Sequence, residues 1–288
     1  MSATLHAGGH RRARPGAPQA RPAARRRRAL AARVRRVAPP LLAVLALIAA
    51  WELYVVISGV ERALLPAPHE VASALWHGGA VLWRNFAVTA EEVALGLCMA
   101  IALGFALAVA MHLLPAVRRA VYPLAVGSQA VPIPVIGVLL VFWWGFGIFP
   151  KLVVIALICF FPVLVTTVDA LASVDRDQLK LMRTLDASRW QAFRLAELPA
   201  ALPAALSGAR VALAVGVIGA FIAEVATPTS GPYPGLGRQI TTDVNLQASR
   251  AYAGTVVLVA FALLCFHSLA LAERKLAPWR ARPTGERP

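Results

Sequence analysis

An all-α membrane bundle of about six transmembrane helices is the fold class that the sequence predicts. Three observations predict it. Hydrophobic residues make up 59% of the 288 residues and charged ones only 15%, where a soluble domain carries about 25% charged residues. Several almost uncharged runs reach the roughly 20 residues that cross a bilayer. The basic residues crowd into alternate connecting segments, the pattern that sets membrane topology.

The spans follow in order. The first is placed at 41–59, where Glu52 is the sole charge, and the second at 93–111. The uncharged stretch 120–150 holds one span and a short extra segment, and it contains Pro123, Pro132 and Pro134. The fourth span is 152–168, closed by Asp169. The fifth is 211–225, extended backwards through 200–208. The sixth is 251–272. Five spans result if the first run lies differently.

Orientation follows from the basic residues. With the N-terminus inside the cell, the Arg-rich tail, Arg118, Arg119, the segment 175–199 and the C-terminal tail all share the cytoplasmic side. Arg62, Arg84, Lys151, Arg238 and Arg250 fall outside, and Arg210 stands at a helix mouth. Both termini are therefore expected in the cytoplasm, and the Pro- and Gly-rich loop 227–237 outside. A net charge of +15 is accounted for by this placement and by attraction to anionic lipid, so no nucleic-acid partner is expected. The first 38 residues lack Phe, Trp and Tyr and are expected to be disordered.

Chemistry is sparse. Cys98, Cys159 and Cys265 lie in apolar runs without a CxxC pair and read as small core residues. No Walker A sequence, HExxH or nucleophile–base pair is present. No catalytic residue and no metal ligand is assigned, and this chain is expected to hold no cofactor. No internal repeat of the kind found in secondary transporters is visible. Glu91 and Glu92, near the start of the second span, read as carboxylates favoured by a helix N-terminus.

The most specific signal is the polar segment 175–199. Its core reads Arg183-Thr184-Leu185-Asp186-Ala187-Ser188-Arg189-Trp190-Gln191, and it ends on Leu198-Pro199. It resembles the coupling loop of permease subunits of ABC importers, whose signature runs EAA, three residues, Gly, nine residues, Ile-x-Leu-Pro. Lys180-Leu181-Met182 stands on the EAA triplet, Asp186 on the Gly, and Ala196 on the Ile. A Gly that marks a positive-φ turn is best replaced by a residue such as Asp, which tolerates that region better than most. The words Ala130-Val131-Pro132-Ile133-Pro134 and Trp144-Gly145-Phe146-Gly147, followed by Phe160-Phe161-Pro162, resemble permeases of the sulfonate, taurine and nitrate group. The resemblance covers roughly residues 85–272.

What the resemblance implies is a type I ABC-importer permease fold. A basic tail (1–38) precedes a first helix and outside loop (39–84), the permease domain (85–272) and a cytoplasmic C-terminal tail (273–288). It implies a transport subunit of the bacterial inner membrane rather than an enzyme. Its partners would be a separate ABC ATPase that binds ATP, a solute-binding protein and a second copy of the permease. The cargo would be a sulfonate, taurine, a nitrate-like anion or a pyrimidine precursor of thiamine. The ATPase would meet Arg183, Thr184, Leu185, Asp186, Ala187, Ser188, Leu198 and Pro199, with Leu181, Leu185, Trp190, Phe193 and Leu198 as apolar knobs. An ATP-independent channel or secondary transporter is the competing reading, and such a protein has no use for the coupling loop.

A solute pathway needs backbone freedom and polar groups. Pro132 and Pro134 kink the third span. Gly216 and Gly219 share one small-residue face of the fifth. Glu224 closes that span, and an ionisable residue at the membrane is a functional candidate by default. Its competing reading is an interfacial carboxylate facing water.

Overall fold

Eleven α-helices and no strand make up the described residues of the computed structural model, which are 22–226 and 234–276. Contacts divide the chain into two units, Met1–Tyr54 and Val55–Pro288. Helix α1 (Pro22–Ser58) fills the described part of the first unit and runs on past the boundary. Its start corrects one expectation. Residues 22–38 are helical rather than disordered, because the Ala- and Arg-rich run combines two strong helix formers. The rest of the tail, residues 1–21, lies outside the described residues.

In the second unit, α2 (Pro68–His77) and α3 (Gly79–Leu113) follow a short turn. Helix α3 has 35 residues, so the outside loop expected through residue 84 is largely helix. Hydropathy hides this part of α3, because Asn85, Thr89 and Glu92 are polar and yet buried. Next come α4 (Pro115–Gly127), a 3₁₀ turn at Ser128–Ala130 and α5 (Ile133–Trp144). The pair is bent by 101° at the break. Pro132 caps α5 in an extended conformation and Pro134 sits in its first turn. Prolines there cannot continue the preceding helix but fit the opening of the next. The aromatic run Phe142, Trp143, Trp144, Phe146 and Phe149 is exposed.

Helix α6 (Ile148–Ala172) is longer than the fourth span predicted, and it takes in Lys151 and Asp169. The polar segment forms α7 (Arg176–Thr184) and α8 (Arg189–Ala192), then a π-helical turn at Phe193–Glu197 that leads into α9 (Leu198–Ala226). Helix α10 (Leu236–Leu246) is too short to span, and α11 (Ala248–Leu276) closes the described chain. Five helices are long and apolar enough to cross a membrane, and a sixth crossing results if α4 and α5 form one broken span.

The core is a three-helix stack of α3, α6 and α9. Val93, Leu97, Ala100, Val154, Ile155, Cys159, Ala212, Val217 and Ala220 are among its buried residues. The small residues of α9 explain its closeness to α6. A Cβ on Gly216 would stand 2.9 Å from Cys159 Sγ, and one on Gly219 would stand 3.0 Å from Ile158 Cδ1. Both distances are tighter than ordinary van der Waals contact, so a larger residue at either position would make Cys159 or Ile158 shift. Helix α11 turns Val256, Val259, Leu263, Leu264 and Leu271 outward, as a lipid-facing helix does. The three cysteines are free.

Candidate coupling helix pair

Asp175 opens α7 by accepting a hydrogen bond from the Asp177 N–H at 2.8 Å, the usual work of an N-cap carboxylate. The helix stops at Asp186, where φ is +53°, and among the described residues no other non-glycine has positive φ. Ala187 N–H donates to Met182 O at 3.0 Å, and Asp186 N–H donates to Arg183 O at 3.1 Å. These two bonds form a Schellman motif, with Asp186 at the left-handed position that usually takes Gly. Thr184 Oγ1 donates to Leu181 O at 2.7 Å, tightening the same turn.

Ser188 starts the next helix two residues later. Its Oγ accepts from Gln191 N–H at 3.2 Å, and Gln191 Oε1 accepts from Ser188 N–H at 2.8 Å. This reciprocal pair is a capping box. Residues 184–188 therefore close one helix and open another with every turn bond made locally. The result is a stiff α7–α8 corner at one end of the bundle.

The corner is fastened to the bundle by residues that sequence reasoning missed. His112, in the last turn of α3, meets Glu197 at 2.8 Å between Nε2 and Oε2. Arg189 Nη2 donates to Leu113 O at 2.9 Å, a cation on an unsatisfied C-terminal carbonyl. Trp190 stacks on Phe193 with centroids 5.4 Å apart. Phe193 is buried in a cluster with Ala170, Leu171 and Ala201, against which Leu198 packs. Phe193 is thus an anchor on the bundle and not a docking knob, contrary to expectation, while Leu198 is half-buried against the same cluster. Leu181, Leu185 and Trp190 are exposed as expected, and Leu195 joins them. Arg183, Asp186, Ser188 and Pro199 are exposed beside them.

The residues expected along a pathway occupy three settings. Pro132 and Pro134 make the α4–α5 corner. Gly216 and Gly219 line the α6–α9 seam. Glu224 is only 1% exposed, which removes the water-facing reading. Its Oε1 accepts from Thr89 Oγ1 at 2.6 Å, and its Oε2 accepts from Gly237 N–H. Glu92 and Lys151 are also buried, and Lys151 Nζ donates to Glu92 Oε1 at 2.7 Å. Glu92 lies more than three turns into α3, so it is an ion-pair partner rather than a helix-start carboxylate. Lys151, expected in an outside segment, lies within the first turn of α6 and is buried. The loop 227–237 is described only from Pro234. Among the described residues, no cluster of metal-binding side chains occurs.

A family model for the inner membrane component of binding-protein-dependent transport systems matches residues 100–279. The chain belongs to this family. It is 32% identical over 235 residues to a probable ABC transporter permease protein of Haemophilus influenzae, covering 81% of this chain and 94% of that one. It is also 32% identical over 247 residues to the formylaminopyrimidine transport permease protein of Halalkalibacterium halodurans, covering 84% and 96%. The taurine transport system permease protein of Escherichia coli is 29% identical over 81% of this chain and 86% of its own. Among solved structures, the MetNI methionine ABC transporter in an inward-facing conformation aligns with a TM-score of 0.54. It has 18% identity and covers 68% of this chain and 94% of that chain, a likeness of fold. The permease is therefore an all-α, multi-pass transport subunit of an ABC importer for small solutes. Its relatives are transport subunits and not enzymes.

Proposed function

We propose that this permease forms the membrane pathway of an importer as a pair of identical copies, each engaging a separate ATPase through the α7–α8 corner. One observation carries the reading. The corner is rigid by its own capping and offers Leu181, Leu185, Trp190 and Leu195 to solvent between charged residues. An apolar patch rimmed by charge marks an interaction surface. ATP binds on the partner chain, and closure of the paired ATPases rocks the two permeases between packings. A solute-binding protein delivers the cargo from the α10 end. The relatives named for formylaminopyrimidine, riboflavin, taurine and aliphatic sulfonates support a small organic solute as the cargo. Pro132 and Pro134 supply the break at which the α4–α5 segment meets that solute.

The test is purification of the permease with a candidate ABC ATPase from the same genome, followed by uptake in proteoliposomes. ATP-dependent uptake of one solute from a panel of formylaminopyrimidine, riboflavin, taurine and an alkanesulfonate is expected. Absence of any ATPase in the purified complex counts against the reading.

Orientation gives a second expected result. With the α7–α8 end in the cytoplasm, a membrane-impermeant maleimide labels a Gln247→Cys variant in intact cells. It labels Ser188→Cys only after permeabilisation. The reverse pattern would invert the topology.

A further inference from the structure

Beyond the coupling corner, the opposite end of the bundle holds a buried polar cluster that the transport cycle described above does not use. Three helices converge there on one short segment, 234–239. From α9, Glu224 accepts from Gly237 N–H. From α3, Thr89 Oγ1 donates to Glu224 and accepts from Leu236 N–H at 2.8 Å. Also from α3, Asn85 Nδ2 donates to Gln239 Oε1 at 2.8 Å. From α6, Lys151 Nζ joins Glu92 Oε1 to Pro234 O, the latter at 3.3 Å.

The backbone of the segment is shaped around the carboxylate. Gly235 has φ +95°, and a Cβ there would stand 2.2 Å from Glu224 Oε1. A Cβ on Gly237 would stand 2.7 Å from Glu224 Oε2 and 3.0 Å from Phe221 Cα. Neither position admits a side chain while Glu224 is in place. The carboxylate thus sits at the N-terminus of α10, where backbone N–H groups and the helix dipole favour negative charge. Both its oxygens accept hydrogen bonds from protein groups.

Stability alone does not explain such a cluster, because apolar residues of the same volume often hold a buried site as well or better. What hydrogen bonds add is a fixed register. Helix α10 has 11 residues and cannot hold itself in place by spanning the membrane. We propose that Glu224 is a positioning residue that pins the first turn of α10 to α3 and α6, so that α3, α6, α9 and α10 move as one body when the importer changes state. The inference rests on the permease reading above.

The test separates a tether from a charge. In a background with Cys98, Cys159 and Cys265 replaced by Ala, Asn85→Cys and Gln239→Cys are joined by a short bis-methanethiosulfonate reagent, with and without Glu224→Ala. Hydrogen exchange of residues 234–246 in the purified permease is the first readout. It is expected to speed up at least tenfold in Glu224→Ala and to return to within threefold of the parent on cross-linking. ATP-dependent uptake with the ATPase partner is the second, expected to fall tenfold or more and to recover with the cross-link. Unchanged exchange in Glu224→Ala overturns the proposal. So does uptake that stays lost in a cross-linked variant whose exchange is restored, since the carboxylate then acts through its charge. Should Glu224→Ala fail to fold, Thr89→Val removes one link of the tether. It should raise exchange of 234–246 severalfold, and no rise overturns the proposal. Absence of ATP-dependent uptake by the parent protein would instead sink the importer reading, and the exchange data would still judge the tether.

Discussion

Lys151→Met is expected to destabilise the folded permease by about 3–5 kcal/mol, the usual cost of removing one partner from a buried ion pair. Lys151 is 1% exposed and Glu92 also 1%. Without the ammonium, Glu92 keeps a buried carboxylate with no cation against it, close to the carboxylate of Glu224. The cost is the desolvation of that stranded charge and not the value of the pair itself. The double variant Lys151→Met/Glu92→Leu removes both and should recover most of the loss. Thermal unfolding of the detergent-purified protein measures both variants. If the double variant is no more stable than Lys151→Met, the ion pair is not the source of the effect.

At the other end, Asp186→Val and Leu185→Asp should abolish stimulation of ATP hydrolysis, for different reasons. A left-handed residue costs an L-amino acid roughly 1–2 kcal/mol. Asp softens that cost, while a β-branched side chain makes the conformation a true outlier. Val at 186 therefore opens the Schellman turn and misaims α8. Asp186→Gly keeps the turn, should add on the order of 1 kcal/mol of stability and should leave coupling intact. Leu185→Asp leaves the corner folded, because Leu185 is exposed, but it carries a charge into the proposed ATPase contact. Burying it unpaired costs at least several kcal/mol. Co-purification should thus fail for Leu185→Asp. Full coupling by both variants would remove the corner from the contact surface. A charge at Leu198 is a poorer probe, since that half-buried side chain also packs against the Phe193 cluster and its loss reports on folding too.

The two ends of the molecule were unequally legible in the sequence. The α7–α8 corner was readable because its determinants are local. Schellman turn and capping box each bind residues three to five apart, and a motif of fixed spacing records them. The burial of Phe193 was not readable, because it depends on packing against Ala170 and Leu171 of another helix. The fastening of Arg189 and Glu197 to the end of α3 joins residues far apart in the chain. The cluster around Glu224 was hidden for a similar reason. Its members are polar residues in separate spans, and each lowers the hydropathy that marks a span. Hence hydropathy alone shortens α3 and α6, leaving Glu92 near a helix start and Lys151 outside a span. One signal was available: Glu92 and Lys151 are opposite charges that stand near the starts of two long apolar segments, and such residues pair.

Helix α3 carries Glu92 in one cluster and His112 in the other, about 30 Å apart at 1.5 Å per residue. Its first part is tied to α10 and its last turn to the α8 corner, with unbroken helix between. A rod held at both ends is a lever: a tilt of roughly 5° about one end sweeps the other by about 3 Å, close to the width of a water molecule. Force applied at the corner thus reaches the far mouth by solid geometry, with no chain of switching side chains along the way.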